Sequence, residues 1–315
     1  YDGGMRGVHG LHHITAIAGP PQENLDFYAG VLGMRLVKKS VNQDDPTTYH
    51  LFYADAEGRP GTNLTFFPWV QLAPPRLGHG LAVEVGLEVP SDSLSFWGAR
   101  LEKYGAQIEA VETRFGGRVL PVVDPHGLRL TLVEAAPGSA RPFTPWDRSD
   151  VPAERQVRGL HSARLRERHP DATASFLVHV LGFTRLGVED GWTRYGFADA
   201  PGAVDIHEAR EPRGAWGVGS VHHLAWRVDD EQHQLKVREQ IEAARVSATP
   251  VIDRFWFKSV YFNEPGGVLF ELATDGPGFA TDEDPAHLGE TLVLPPWLES
   301  SRAQIEAALP RIAKH

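Results

Sequence analysis

Two adjacent histidine pairs, His12–His13 and His222–His223, and one carboxylate, Glu271 between Phe270 and Leu272, are the residues of this chain best suited to metal chemistry. Each lies in a stretch that reads as a strand. In LHHITAI, strict alternation turns His13, Thr15 and Ile17 to one face and Ile14 and Ala16 to the other. Along HHLAWRV the apolar Leu224, Trp226 and Val228 form the packed face, so His223 points the opposite way; in VLFELAT, Glu271 shares its face with Leu269 and Ala273. Two neutral imidazoles and one carboxylate on one side of an ion leave its other positions open for substrate and oxygen, the facial arrangement of non-haem Fe(II) oxygenases. Taken singly, a strand histidine is more often packed than ligating and a strand glutamate usually faces solvent. The matched placement of both histidine pairs on first strands is what joins them. The chain has no cysteine, so any metal must sit on His, Asp or Glu.

Several residues nearby are candidates for handling substrate. Neutral His12 or His222 is suited to proton transfer near neutrality, yet alternation sends both away from the ligand face, so a bulge or a neighbouring segment must bring them back. Arg254 offers a planar charged fork for a substrate hydroxyl or a developing anion, against the plainer alternative of a salt bridge to Asp253 or a neighbour. Tyr261 can donate to a substrate oxygen or simply pack. Thr15 shares the ligand face and is placed to bond substrate or a water. His50 reads as a core histidine, and Phe255, Trp256 and Phe257 read equally as a wall for an aromatic ring or as ordinary core. His126, His179, His207 and His233 show no ligand-like spacing, and the four-residue interval from His9 to His13 is a coincidence in a strand. No phosphate-binding or dinucleotide loop is evident.

Those strands recur in a pattern. A strand, a helix and further strands run through residues 10–68, with Leu25, Tyr28, Val31 and Leu32 on one face of the helix PQENLDFYAGVLGM; comparable runs begin at LAVEVGLEV, RGLHSARLRER and SVHHLAWRVDD. GLHHITAI with FYAGVLGM, and GLHSARL with FLVHVLGF, suggest duplicated halves. The expected fold is α+β, four tandem βαβββ modules arranged as two paired-module domains with cup-shaped mixed sheets. Residues 5–148 would hold the first pair and supply His13; residues 155–280 would hold the second and supply His223 and Glu271. PGSARPFTPWDRSDVPAERQ suits a surface linker between them. Residues 281–315 form a packed tail ending in a helix over ESSRAQIEAALPRI. Module three has Ser162 where His13 stands, and Thr131 takes the place of Glu271, so one metal site per chain is expected.

At 315 residues, 42% hydrophobic and 23% charged, the chain is of ordinary globular composition and long enough for about two domains. A net charge of -10 and the lack of a basic run exclude nucleic acid as an expected partner. No stretch approaches about 18 apolar residues and no secretory pattern opens the chain, so a soluble, cytoplasmic protein without a membrane partner is expected. Tyr1 to Gly4, ahead of Met5, read as appended residues that take no part in the fold.

The phrases LHHITAIAG, FYAGVLGMRLVKK, TYHLFYAD, GRPGTNLTFFPW, GSVHHLAWRV and EPGGVLFELAT, with TDEDPAHLGE in the tail, resemble the vicinal oxygen chelate superfamily of glyoxalase I and the extradiol dioxygenases, and within it the hydroquinone-cleaving branch. The resemblance runs from about Gly10 into the tail. It implies iron ligands at His13, His223 and Glu271, supporting groups at His12, Thr15, His222, Arg254 and Tyr261, Fe(II) as the metal with Mn(II) as its alternative, and O2 as co-substrate for opening a small aromatic diol. A glyoxalase-type isomerase, a catechol extradiol dioxygenase and a non-catalytic small-molecule-binding protein of the same fold are the rival readings. Paired sheets with exposed edges leave a homo-oligomer open.

Overall fold

A computed structural model describes residues 7–139, 141–197 and 200–313 of the chain; Tyr1 to Gly4, read above as appended, lie outside these. Module one contains β1 (Leu11–Ala18), α1 (Pro21–Leu25), β2 (Arg35–Val41), β3 (Tyr49–Ala54) and β4 (Asn63–Pro68). Module two has β5 (Leu81–Val89), α2 (Leu94–Lys103), β6 (Gln107–Ile108), β7 (Glu112–Arg114), β8 (Gly117–Val123) and β9 (Arg129–Glu134). Module three follows with β10 (Gly159–Glu167), α3 (Pro170–His179), β11 (Thr184–Glu189), β12 (Trp192–Gly196) and β13 (Ala203–Glu208). β14 (Val221–Val228), α4 (Glu231–Ala243), β15 (Ile252–Asp253), β16 (Lys258–Asn263) and β17 (Leu269–Thr274) complete module four.

The sheets are not built from neighbouring modules. One eight-stranded sheet runs β15-β16-β17-β14-β1-β4-β3-β2, joining module four to module one, while modules two and three share the other through the β5–β10 pair. Each half of the sequence is therefore divided between both sheets, where neighbour-with-neighbour cups were expected. In both, the central seam is antiparallel, and the first strand of each module lies parallel to its last. The faces follow the alternation: Ile14, Leu224, Trp226, Phe270 and Leu272 are buried in one continuous core with Val85, Leu87, Leu160 and Leu165 of the second sheet and with Tyr28, Trp97, Leu177 and Ile241 of the helical segments. Each fully buried large side chain of this kind contributes roughly 1.5–3 kcal/mol.

Local chemistry sets the helices. Asp230 caps α4 by accepting from the His233 N–H, and Leu94, Trp97 and Leu101 give α2 a single buried stripe. The long helix expected after β1 is instead one short turn, α1, continuing into a wider π-type turn over Asp26–Val31. The linker is more than a surface strap: Arg141, almost wholly buried, donates to the carbonyls of Leu160 and Gly61. A C-terminal helix, α5 (Arg302–Ala308), buries Ile305 in a cluster with Val41, Leu294 and Leu309. Ahead of it the tail is anchored by Lys38, whose buried ammonium donates to Asp282 at 2.8 Å, to Glu283 and to the Phe279 carbonyl. A lysine at that depth is tolerable only because two carboxylates face it. Among the described residues no helix is long and apolar enough to cross a membrane.

Candidate metal centre

Backbone register brings the three candidate ligands together. In the β1–β14 pair Thr15 lies opposite His223 and His13 opposite Ala225; β17 lies beside β14 with Glu271 at Ala225. The register slips at His12 on β1 and at His222 on β14. These two bulges are what an alternating strand needs to turn both members of each histidine pair toward one place. His13 Nε2 stands 3.2 Å from Glu271 Oε2, His223 Nε2 stands 3.0 Å from the same oxygen, and the two imidazole nitrogens are 3.2 Å apart. All three side chains are buried.

The hydrogen bonds around this triangle decide where its protons are. His12 Nε2 lies 3.1 Å from the Thr274 carbonyl, which only accepts, so that nitrogen carries the hydrogen. Burial, reinforced by His13, holds the His12 pKa well below the usual histidine range, so the ring is neutral and its Nδ1 has a lone pair. His13 Nδ1, 2.9 Å away, must donate to it, which leaves His13 Nε2 bare and aimed at Glu271. His222 Nδ1 and His223 Nδ1 repeat the contact at 2.8 Å, with burial holding His222 neutral at a pKa of about 3. Ser259 Oγ donates to Glu271 Oε1 at 2.5 Å, whereas Glu271 Oε2 is buried with no hydrogen-bond donor among the described residues. Burial raises the Glu271 pKa, and it is positive charge at this triangle, on the histidines or on an ion they share, that holds the carboxylate well below its ordinary range. An ionised oxygen without a donor and a bare imidazole nitrogen converging at about 3 Å repel one another unless a cation lies between them. Ligand atoms about 2.1 Å from one ion and at right angles stand about 3.0 Å apart, so these residues fit a facially bound divalent metal.

The triangle opens into a cavity of about 330 Å³, lined on its polar side by His13, His222, His223, Arg254 and Tyr261 and on its apolar side by Phe52, Phe67, Trp69, Trp256 and Phe257. Trp256 and Phe257 are thus wall and core at once, packing with Phe52 and Phe279. Arg254 lies over the Tyr261 ring at 5.4 Å, and its fork is held by Asp44 at 2.8 and 3.2 Å; Asp253 instead accepts from the Phe255 N–H. Burial, then the Glu271 charge, raises the Tyr261 pKa and keeps its hydroxyl protonated. Two expectations need correction. Thr15 is wholly buried and bonds Thr65 Oγ1 at 2.7 Å, and it does not line the cavity. His50 is no core histidine: it lines the cavity, with Nε2 at 2.9 Å from Thr65 Oγ1 and burial lowering its pKa. Alternation in YHLFYA contains the missed signal, since Leu51 and Tyr53 take the core face and His50 and Phe52 the other. A second histidine–aspartate group, His9, Asp229 and His233, differs in kind, because His233 Nδ1 accepts from the Asp229 N–H and Nε2 donates to the Gly7 carbonyl.

A family model described as the Glyoxalase/Bleomycin resistance protein/Dioxygenase superfamily matches residues 10–132 and 159–272, one match on each half of the chain. This chain belongs to that superfamily. Within it, the chain is 44% identical to a Bacillus subtilis (strain 168) protein assigned as the ring-cleaving dioxygenase MhqO, over 95% of each sequence. It is 33% identical to the chlorohydroquinone/hydroquinone 1,2-dioxygenase of Sphingobium indicum, again over 95% of each. A crystal structure of a Bacillus subtilis protein assigned as a dioxygenase superposes with a TM-score of 0.91 at 42% identity, covering 98% of both chains. The superfamily fold and the metal-suited triangle at its first sheet therefore come together in one molecule.

Proposed function

We propose that this chain is a mononuclear Fe(II)-dependent ring-cleaving dioxygenase that inserts both atoms of O2 into a small hydroquinone-like diol. The observation that carries the reading is the donor-free triangle of His13, His223 and Glu271 opening into an aromatic-walled cavity of about 330 Å³, with room for a single substituted ring. The dioxygenase names of relatives that match 95% of this chain support it. In the reaction, the bond between a hydroxyl-bearing ring carbon and its neighbour breaks and each carbon takes one oxygen atom. One end becomes a carboxylate and the other a carbonyl, so the ring's own electrons reduce O2 and no other reductant is needed. The metal, when bound, supplies open positions for the phenolic oxygen and for O2 and a path for electrons between them; Mn(II) is the alternative ion.

The remaining residues act on substrate and protons. Arg254, with its fork fixed by Asp44, places a permanent positive charge beside the cavity and favours a phenolate there. Tyr261, held protonated, donates to an oxygen of the substrate. Once His223 binds through Nε2, its Nδ1–H is given to His222 Nδ1, and the neutral His222 ring then offers the cavity an N–H. His222 is thus a donor in the resting site, and His12 is a positioning residue that sets the His13 tautomer. In the tautomer that gives its Nε2–H to Thr65, His50 keeps a bare Nδ1 to take the substrate's proton, and Thr15 steadies that arrangement through its contact with Thr65.

The test is oxygen consumption by protein loaded anaerobically with Fe(II) and given 2-methylhydroquinone, chlorohydroquinone or catechol, beside His223→Ala. Uptake with a ring-opened product, lost in the variant, is expected. Bound iron with no uptake on any diol overturns the reading and favours a glyoxalase-type isomerase or a binding protein.

A further inference from the structure

The register that assembles the metal triangle also runs through the second sheet. β10 and β5 pair as β1 and β14 do, with Ser162 opposite Gly86 and Arg164 opposite Glu84, and β9 sets Thr131 beside Gly86. At the positions of His13, His223 and Glu271 the second cup therefore has Ser162, Glu84 and Thr131, and at the position of Thr15 it has Arg164. Beside His161, which bonds Ser162, and His207, which lies against Trp192, its ionisable groups are guanidinium groups and carboxylates. Arg114 Nη1 donates to Glu84 at 2.5 Å, and Arg194 grips Asp205 with two bonds of 2.6 and 2.9 Å.

Arg164 is the odd member. Its Nε lies 3.5 Å from Asp205 Oδ2 and 3.8 Å from Glu84 Oε1, both on carboxylates already held by the other two arginines. Its terminal nitrogens form no hydrogen bond among the described residues, although the side chain is only 15% exposed and its guanidinium sits over Trp192 at 4.4 Å. The buried cluster thus sets three guanidinium groups against two carboxylates. Arg129 and Arg166 at the rim bring their own solvent-facing partners, Glu109 and Glu211, and Arg114 also takes the exposed Glu112. Burial, then the neighbouring Arg114 charge together with incomplete offset from the carboxylates, lowers the Arg164 pKa, as an under-compensated cation requires. Arg164, Trp192, Leu77 and Leu81 line a cavity of about 620 Å³, and Leu77 is 62% exposed at its edge.

We propose that this second cup binds a small organic carboxylate: the carboxylate pairs with the two terminal nitrogens of Arg164, and an apolar body lies against Leu77, Leu81 and Trp192. A free planar fork in a half-closed cavity selects a flat two-oxygen anion, and the apolar lining favours an organic one over an inorganic one. The site is separate from the metal triangle and does not rest on the reaction proposed for it.

Isothermal titration of the metal-free full chain tests this, with benzoate as probe and benzyl alcohol as its uncharged counterpart. One benzoate per chain is expected to bind, with benzyl alcohol, Arg164→Gln and Leu77→Asp each weaker by about tenfold or more. His223→Ala should bind benzoate as the parent does. Leu77→Asp changes an exposed position, so a folding failure of Arg164→Gln leaves that arm intact. No saturable binding, equal binding of benzyl alcohol, or loss in His223→Ala with Arg164→Gln and Leu77→Asp unaffected overturns the proposal, the last by placing benzoate in the metal cup.

Discussion

In both sheets a histidine is bulged from a first strand and bonds the side chain that follows it: His12 Nδ1 meets His13 Nδ1 at 2.9 Å, and His161 Nδ1 meets Ser162 Oγ at 3.0 Å. Burial keeps both leading histidines neutral, with His161 lowered to about 4. What differs is the next atom outward. His13 passes the contact through its ring to a bare nitrogen facing Glu271, whereas the Ser162 hydroxyl ends it. Across the sheet, Ser259 satisfies one oxygen of Glu271 and leaves the other bare, while Thr131 lies 3.3 Å from the Arg114 guanidinium. One scaffold therefore concentrates lone pairs in one cup and positive charge in the other. The bulges are common to both and cannot by themselves specify a metal site; the side chains at the pairing positions must do so.

The sharpest way to break this comparison is to remove matched residues. Glu271→Ala should lower bound iron from one ion per chain to near none and abolish oxygen uptake, while Thr131→Ala leaves both unchanged; metal analysis of dialysed protein reads the pair. Next in size, His12→Phe should weaken metal affinity about 10–100-fold by freeing the His13 tautomer, and His161→Phe should leave it unaltered; competition with a coloured chelator separates them. Iron retained at parental affinity in His12→Phe would show that the leading histidine has no positioning role.

The seam between the sheets predicts a pH effect. Glu167, at the end of β10, is pushed up to about 9 by burial and by Glu264, whose own carboxylate accepts from Thr173 Oγ1 and the Gly266 and Val268 N–H groups. Between the ordinary value of 4.5 and about 9 the folded chain holds a proton that the unfolded chain has released. Stability therefore falls as pH rises through that window and levels above it. Denaturation midpoints of Glu167→Gln should show a shallower decline from pH 5 to 9 than the parent, and equal slopes would deny the pair its role. The smallest expected effect is that of Thr15→Val, a loss of about 1 kcal/mol of stability with metal content intact, measured by urea unfolding.

The convergence of His13, His223 and Glu271 is legible in the sequence because strand alternation has a period of two: once Leu224 and Trp226 are assigned inward, His223 has only one face left, and the need for bulges at His12 and His222 follows from the same count. The partner of each sheet was not legible, since similarity among modules says which strands are alike and nothing about which edges meet. His50 was hidden by its apolar neighbours, and Asp44, which fixes Arg254, lies in a loop with no periodicity to read. The crowding of Arg114, Arg164 and Arg194 was likewise invisible, because it arises from three separate strands.

Pairing the first module with the last also orders events at the ribosome. The inner modules can complete their shared sheet while the strand bearing Glu271 is still unmade, but the outer sheet waits until β17 has been synthesised. A chain still short of β17 consequently cannot bring His13, His223 and Glu271 together, and the chemistry they support can begin only in a molecule whose first and fourth modules have already met.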